Sequence, residues 1–83
     1  MPFLTKMDCR GSHVLVECDG RFAVIEERAG KIYGLNPKRR RGYPNTPDGV
    51  AQAVGTAWQS EIAATRLFDE VTREAERLAR RIW

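Results

Sequence analysis

The sequence predicts an α+β domain: an antiparallel β-meander of three to four strands, then a C-terminal helical region packed on one sheet face. Three observations carry this. Residues 12–18 and 21–27 are β-branched, aromatic-containing runs separated by Asp19-Gly20, a dipeptide that tolerates two positive φ angles in a tight hairpin. From Ala64 onward, Ala64, Phe68, Val71, Ala75, Leu78 and Ile82 recur in alternating steps of four and three, the spacing of an amphipathic helix. Eighty-three residues with 42% hydrophobic and 30% charged side chains suit one domain over 1–83, since a disordered chain is less apolar and two cores need more length.

Taken in order, Phe3 to Cys9 alternates weakly and Arg10-Gly11 can turn it into the next strand. Across the two-residue Asp19-Gly20 loop, opposed residues share a face. Val14, Val16, Cys18, Ala23 and Ile25 then lie on one side with Arg21, and Leu15, Phe22 and Val24 on the other, flanked by His13, Glu17 and Glu26. The first is the core face; the second, apolar at its centre and charged around it, is a candidate contact surface. Arg28-Ala29-Gly30 offers another turn into a short strand over Lys31 to Leu35, ended by Asn36-Pro37. The strands thus fall within 3–35, and residues 36–46 form a basic, proline-rich loop.

Helices follow within 47–82. Thr46-Pro47 reads as an N-cap with proline at the first helical position, and Val50 and Val54 repeat four apart. Gly55 disfavours helix by about 1 kcal/mol against alanine, and Thr56 to Gln59 matches a capping box, so a short helix, a break near Gly55 and a long helix are expected. Asp69 with Arg73 and Glu76 with Arg80 are acid-before-base pairs at i,i+4. A continuous helix over 56–83 would span roughly 42 Å at 1.5 Å per residue, while a compact chain of this length has a radius of gyration of about 12 Å; the helix therefore bends or protrudes. Trp58 and Ile62 lie about 120° or more from the middle of the later stripe and need another surface to pack on.

Charge is local. The formal net charge is +3, and Lys38, Arg39, Arg40 and Arg41 alone supply +4; the remainder is slightly acidic. No run of 18 apolar residues occurs and Lys6, Asp8 and Arg10 interrupt the start, so the expected location is cytoplasmic. Two cysteines are too few for a disulfide scaffold and are expected as free thiols.

Several chemistries find little support. Cys9, His13 and Cys18 are the only soft ligands and fit no zinc spacing, so no metal and no cofactor are expected. His13 is the lone histidine and Ser12 beside it cannot be aligned for attack by chain adjacency. Asp69-Glu70, Glu74 with Glu76, and Glu26-Glu27 do not read as buried acid–base pairs, and no glycine-rich phosphate loop occurs. The chain is expected not to be an enzyme.

Two binding readings remain. The basic run Lys38 to Arg41 lies between Tyr33 and Tyr43; guanidinium groups neutralise phosphates and tyrosine rings stack on unpaired bases, so the segment is a candidate grip on nucleic acid. It could equally dock on an acidic protein, or be a solvated loop. The other reading starts from surplus apolar surface. If the helices cover one face, then Leu15, Phe22 and Val24 opposite them, with Trp58 and Ile62 off the stripe, call for a second chain. The leading expectation is a small non-enzymatic binding protein acting through protein contacts, homodimeric, of the kind found among phage or mobile-element inhibitors and adaptors. The alternative is an accessory nucleic-acid binder.

Overall fold

The computed structural model describes residues 4–35 and 41–82, with side chains through residue 80. It has five strands, β1 (Leu4–Arg10), β2 (His13–Cys18), β3 (Arg21–Arg28), β4 (Lys31–Tyr33) and β5 (Tyr43–Pro44), then α1 (Pro47–Val54) and α2 (Glu61–Ile82). The sheet is an antiparallel meander in the order β1-β2-β3-β4-β5. The α+β architecture, the break after a short helix and the long final helix are as the sequence predicts; a fifth, two-residue strand is added.

The central hairpin follows from its turn chemistry. Asp19 and Gly20 both take positive φ, 53° and 76°, and the register Val14↔Ile25, Val16↔Ala23 and Leu15↔Val24 puts the side chains on the two expected faces. Ala29 and Gly30 repeat the device at the next turn, with φ of 51° and 78°. A left-handed backbone suits glycine but strains an alanine by about 1–2 kcal/mol.

β1 is one of the two edge strands. Its register slips by one between Lys6 and Asp8, leaving Met7 as the extra residue of a bulge, and Thr5 to Arg10 are all exposed.

α1 starts as predicted. Thr46 is extended and its side chain accepts the Gly49 N–H at 3.1 Å, Pro47 opens the helix, and Gly55 closes it by donating to Ala51 O at 2.9 Å. The capping box at Thr56 to Gln59 does not start α2. The main chain of Gln59 is instead held by β3: Phe22 N–H donates to Gln59 O at 2.8 Å and Gln59 N–H to Phe22 O at 2.7 Å. The helix begins two residues later, where the Ser60 hydroxyl oxygen accepts the Ala63 N–H at 3.2 Å.

That anchor has a large consequence. β4 pairs with β3 only from Glu26 to Arg28, so the other half of this side of β3 lies open. The linker 55–60 crosses there, in the plane of the sheet. α1 therefore packs with Val14, Val16, Ala23, Ile25 and Ile32 on one face, through Val50 and Val54. α2 packs on Leu15 and Val24 on the other, through Ala64 and Phe68, with Phe22, Leu35, Leu67 and Val71 around them. The helices do not share a face, and the sheet lies between two apolar layers.

α2 outruns that sheet. Ala64, Phe68 and Thr72 are buried, yet every residue from Arg73 to Arg80 is exposed. The molecule measures 44 × 26 × 21 Å with a radius of gyration of 12.4 Å, so the helix protrudes as its length implies. Among the described residues, no helix is long and apolar enough to cross a membrane.

Two stability measurements check this account. Gln59→Pro removes the N–H given to Phe22 and should lower the unfolding free energy in urea by about 1–3 kcal/mol, whereas Gln59→Ala, which keeps both main-chain bonds, should fall less. Ala29→Asn places a residue that tolerates positive φ before Gly30 and should raise stability by roughly 1 kcal/mol.

Candidate functional site

The residues expected to form a free apolar surface are brought together, but as core. Leu15 is 8% and Val24 6% exposed, covered by Ala64 and Phe68 of α2, and Phe22 is half-buried beside them. This corrects the expectation of an uncovered second face: the linker crossing at Gln59 carries α2 onto it. Trp58 is also accounted for within the chain. It is half-buried against the opposite core cluster, and the Arg21 guanidinium carbon lies 5.5 Å from its ring centroid. Of the five residues only Ile62, at 68% exposure, stays on the surface.

The basic segment falls partly outside the described residues, which include Arg41 but not Lys38, Arg39 or Arg40. Arg41 is exposed, its guanidinium carbon 5.9 Å from the centroid of Tyr43. Tyr33 pairs with Glu26 and Tyr43 with Ile32. Since paired residues share a face and Glu26 and Ile32 belong to opposite ones, the tyrosines do not form one stacking platform. Arg41 supplies a cation over the ring of Tyr43.

Three features emerge only from the fold. The first is the outer half of α2. Ala75 and Leu78 continue the stripe of Ala64, Phe68 and Val71 beyond the sheet, with Ala79 alongside, and Leu78 is 53% exposed. Between this helix and the β1–β2 turn lies a cleft of about 220 Å³, lined by Arg10, Gly11, Ser12 and His13 on one side and Thr72, Ala75, Glu76 and Ala79 on the other. Its inner end is fastened by Arg10, whose guanidinium sits 5.3 Å from the Phe68 ring centroid and 3.3 Å from Asp69 Oδ1. At half-exposed side chains this ion pair contributes at most about 1 kcal/mol. Length arithmetic announces the protrusion; the cleft has no sequence signal, because the turn and helix that wall it are sixty residues apart.

The second feature is Glu26, which the sequence places at an ordinary strand end. It is only 4% exposed, against the Arg28 guanidinium and with His13 Nε2 4.0 Å from Oε1. Cross-strand pairing of His13 with Glu26 puts these groups on the α2 face. Cys9 is exposed and Cys18 buried, and Cys18 pairs with Arg21 on the face opposite His13. Among the described residues, no three His, Cys, Asp or Glu side chains converge on a common metal position.

The third is a slot of about 180 Å³ where β4 parts from β3. It is lined by Ala23 and Val24 of β3, Gly34 and Leu35, Tyr43, the last turn of α1, the linker residues Thr56, Ala57 and Gln59, and Leu67 of α2. Gly34 is obligatory at its wall: a Cβ there would stand 2.4 Å from the Ala53 carbonyl oxygen. The Gln59 side-chain oxygen is buried with no hydrogen-bond partner, a state that disfavours the fold by about 1–3 kcal/mol.

Comparison with protein-family models, with curated proteins and with solved structures gives no match to this chain.

Proposed function

We propose that this chain is a non-enzymatic binding protein that acts through protein–protein contacts, that its working surface is the outer half of α2, and that a second copy of the chain is its first partner. One observation carries the reading: the apolar stripe that seals the sheet continues past it through Ala75, Leu78 and Ala79, where no part of the same subunit among the described residues covers Leu78. A helix face left open in this way supports an isologous contact, in which the same patch serves both partners about a two-fold axis. Two helical turns from each copy bury less than the ~800 Å² per partner of a standard interface, so a dissociation constant of tens to hundreds of micromolar is expected, roughly −5 to −7 kcal/mol. Small helix-borne surfaces of this type suit an inhibitor or adaptor of the phage or mobile-element class. The corrected positions of Leu15, Val24 and Trp58 take them out of this surface.

Sedimentation equilibrium tests the proposal. Wild-type protein should associate over tens to hundreds of micromolar, and Leu78→Glu should be monomeric with an unchanged thermal midpoint, because the side chain is already half exposed. A monomer throughout that range would remove the second copy.

A second reading, an accessory nucleic-acid binder, is favoured by the Arg41 guanidinium poised over Tyr43 at the end of the run Lys38 to Arg41. It predicts sequence-indifferent binding whose log K against log salt slope does not exceed about four in magnitude. Replacing Lys38, Arg39, Arg40 and Arg41 by serine should abolish that binding in a low-salt fluorescence-anisotropy titration; binding that survives the replacement would reject the reading.

A further inference from the structure

We propose that the slot between β3, the Gly34–Leu35 segment and the interhelical linker binds the hydrogen-bonding edge of a flat, uncharged heteroaromatic ring of nucleobase type. The inference is independent of the α2 contact and does not stand or fall with it.

The main chain of Val24 supplies the anchoring pair of hydrogen-bonding groups. Phe22 turns both its N–H and its C=O away from β2, toward Gln59. Two residues along an extended strand the same orientation returns, so Val24 presents its N–H and C=O on that side too. Glu26, two further on, is paired with Tyr33. Val24 thus sits between two occupied positions, and among the described residues no main-chain partner meets its pair. The gap is one residue long. A continuous peptide strand is excluded by the pairings at either end, but a short rigid edge is not.

An extended residue offers a donor and an acceptor side by side, pointing the same way. Their complement is an acceptor and a donor adjacent on one rigid edge, which is the lactam or amidine edge of a nucleobase. The walls agree. Leu35, Tyr43, Val54, Ala57 and Leu67 supply apolar and aromatic surface for the faces of a ring, and among the described residues no charged side chain lines the slot, which suits a neutral ring with few polar contacts. Gln59 and Thr56 border the same space, and Gln59 carries an amide oxygen whose hydrogen-bonding capacity the fold leaves unmet. A donor on the ring gives that amide a reason to turn.

Position adds the phosphate. Tyr43 lines the slot, and the Arg41 guanidinium carbon lies 5.9 Å from its ring centroid. Positive charge beside a neutral base slot favours a nucleotide over a free base. The nucleotide is either a mononucleotide or an unpaired residue of a single strand, and the experiment separates the two.

Amide-resolved NMR titration of the full chain provides the test. The probes are the four ribonucleoside 5′-monophosphates, uridine 5′-monophosphate methylated at N3, ribose 5-phosphate, and short single-stranded oligonucleotides. At least one mononucleotide or oligonucleotide should shift the Val24 backbone amide saturably. N3-methylation, which deletes the donor, should weaken binding of a uracil ligand at least tenfold, and ribose 5-phosphate should leave Val24 in place. Ala57→Leu, filling the slot from an exposed linker position, should abolish the Val24 shift while the thermal midpoint holds. A shift with oligonucleotides alone identifies the strand as the source. The proposal is overturned if Val24 is unmoved by every probe, so that the slot holds solvent only, or if oligonucleotides bind without moving Val24, which would leave the basic-run reading intact. Equal binding of the N3-methylated analogue to the uracil nucleotide, where that is the ligand, would also overturn it.

Discussion

Two main-chain hydrogen bonds between Phe22 and Gln59 decide where the chain goes after its first helix. They exist because β4 accompanies β3 for only three residue pairs, leaving the rest of that side of β3 for another segment. An unpaired N–H and C=O at a buried position is unfavourable, and the linker satisfies Phe22 while passing through the plane of the sheet. With that passage fixed, α1 and α2 can only lie on opposite faces, and both apolar faces of the central hairpin become interior.

The arrangement resolves a difficulty inherent in a chain this short. A single sheet with helices on one face leaves half of its apolar side chains wet, and small domains have little burial to spare. Here β2 and β3 read almost continuously apolar, as strands buried on both faces do: Val14, Leu15 and Val16 in one, Ala23, Val24 and Ile25 in the other, all buried. Such runs are more familiar from parallel sheets, but the physical requirement is only that both faces be covered. The charged residues then mark the ends of the strands, and Glu26 is drawn inside with Arg28 and His13 around it.

Much of the fold is legible in the sequence because it is written locally. Asp19-Gly20 specifies its hairpin through two backbone angles, Thr46-Pro47 starts α1 through one side-chain oxygen, and the stripe from Ala64 to Phe68 and Val71 declares which side of α2 turns inward. What escapes is long-range. Thr56 to Gln59 has the composition of a capping box, and nothing near it in the sequence says that a strand thirty-seven residues earlier will take its main chain. With α2 beside α1, Leu15, Phe22 and Val24 would be surplus apolar surface, whereas Leu15 and Val24 line the core and Phe22 is half-buried beside them. Trp58 illustrates the same point, since it packs on the core cluster under α1 with the Arg21 guanidinium over its ring. The slot and the cleft are invisible from sequence for a simpler reason, being spaces between elements that no residue type encodes. The overhang of α2 is the exception, because rise per residue alone shows the helix to be longer than its body.

The bulge at Met7 bears on what kinds of assembly this molecule can enter. Its first strand is exposed from Thr5 to Arg10 and studded with Lys6, Asp8 and Arg10, and the one-residue slip exchanges the side-chain alternation of the hem halfway along. A neighbour laid against that hem could match the alternation of one half or the other but not both. Lateral growth of the sheet into ribbons across this edge is thereby disfavoured by the strand's own register rather than by any covering element among the described residues.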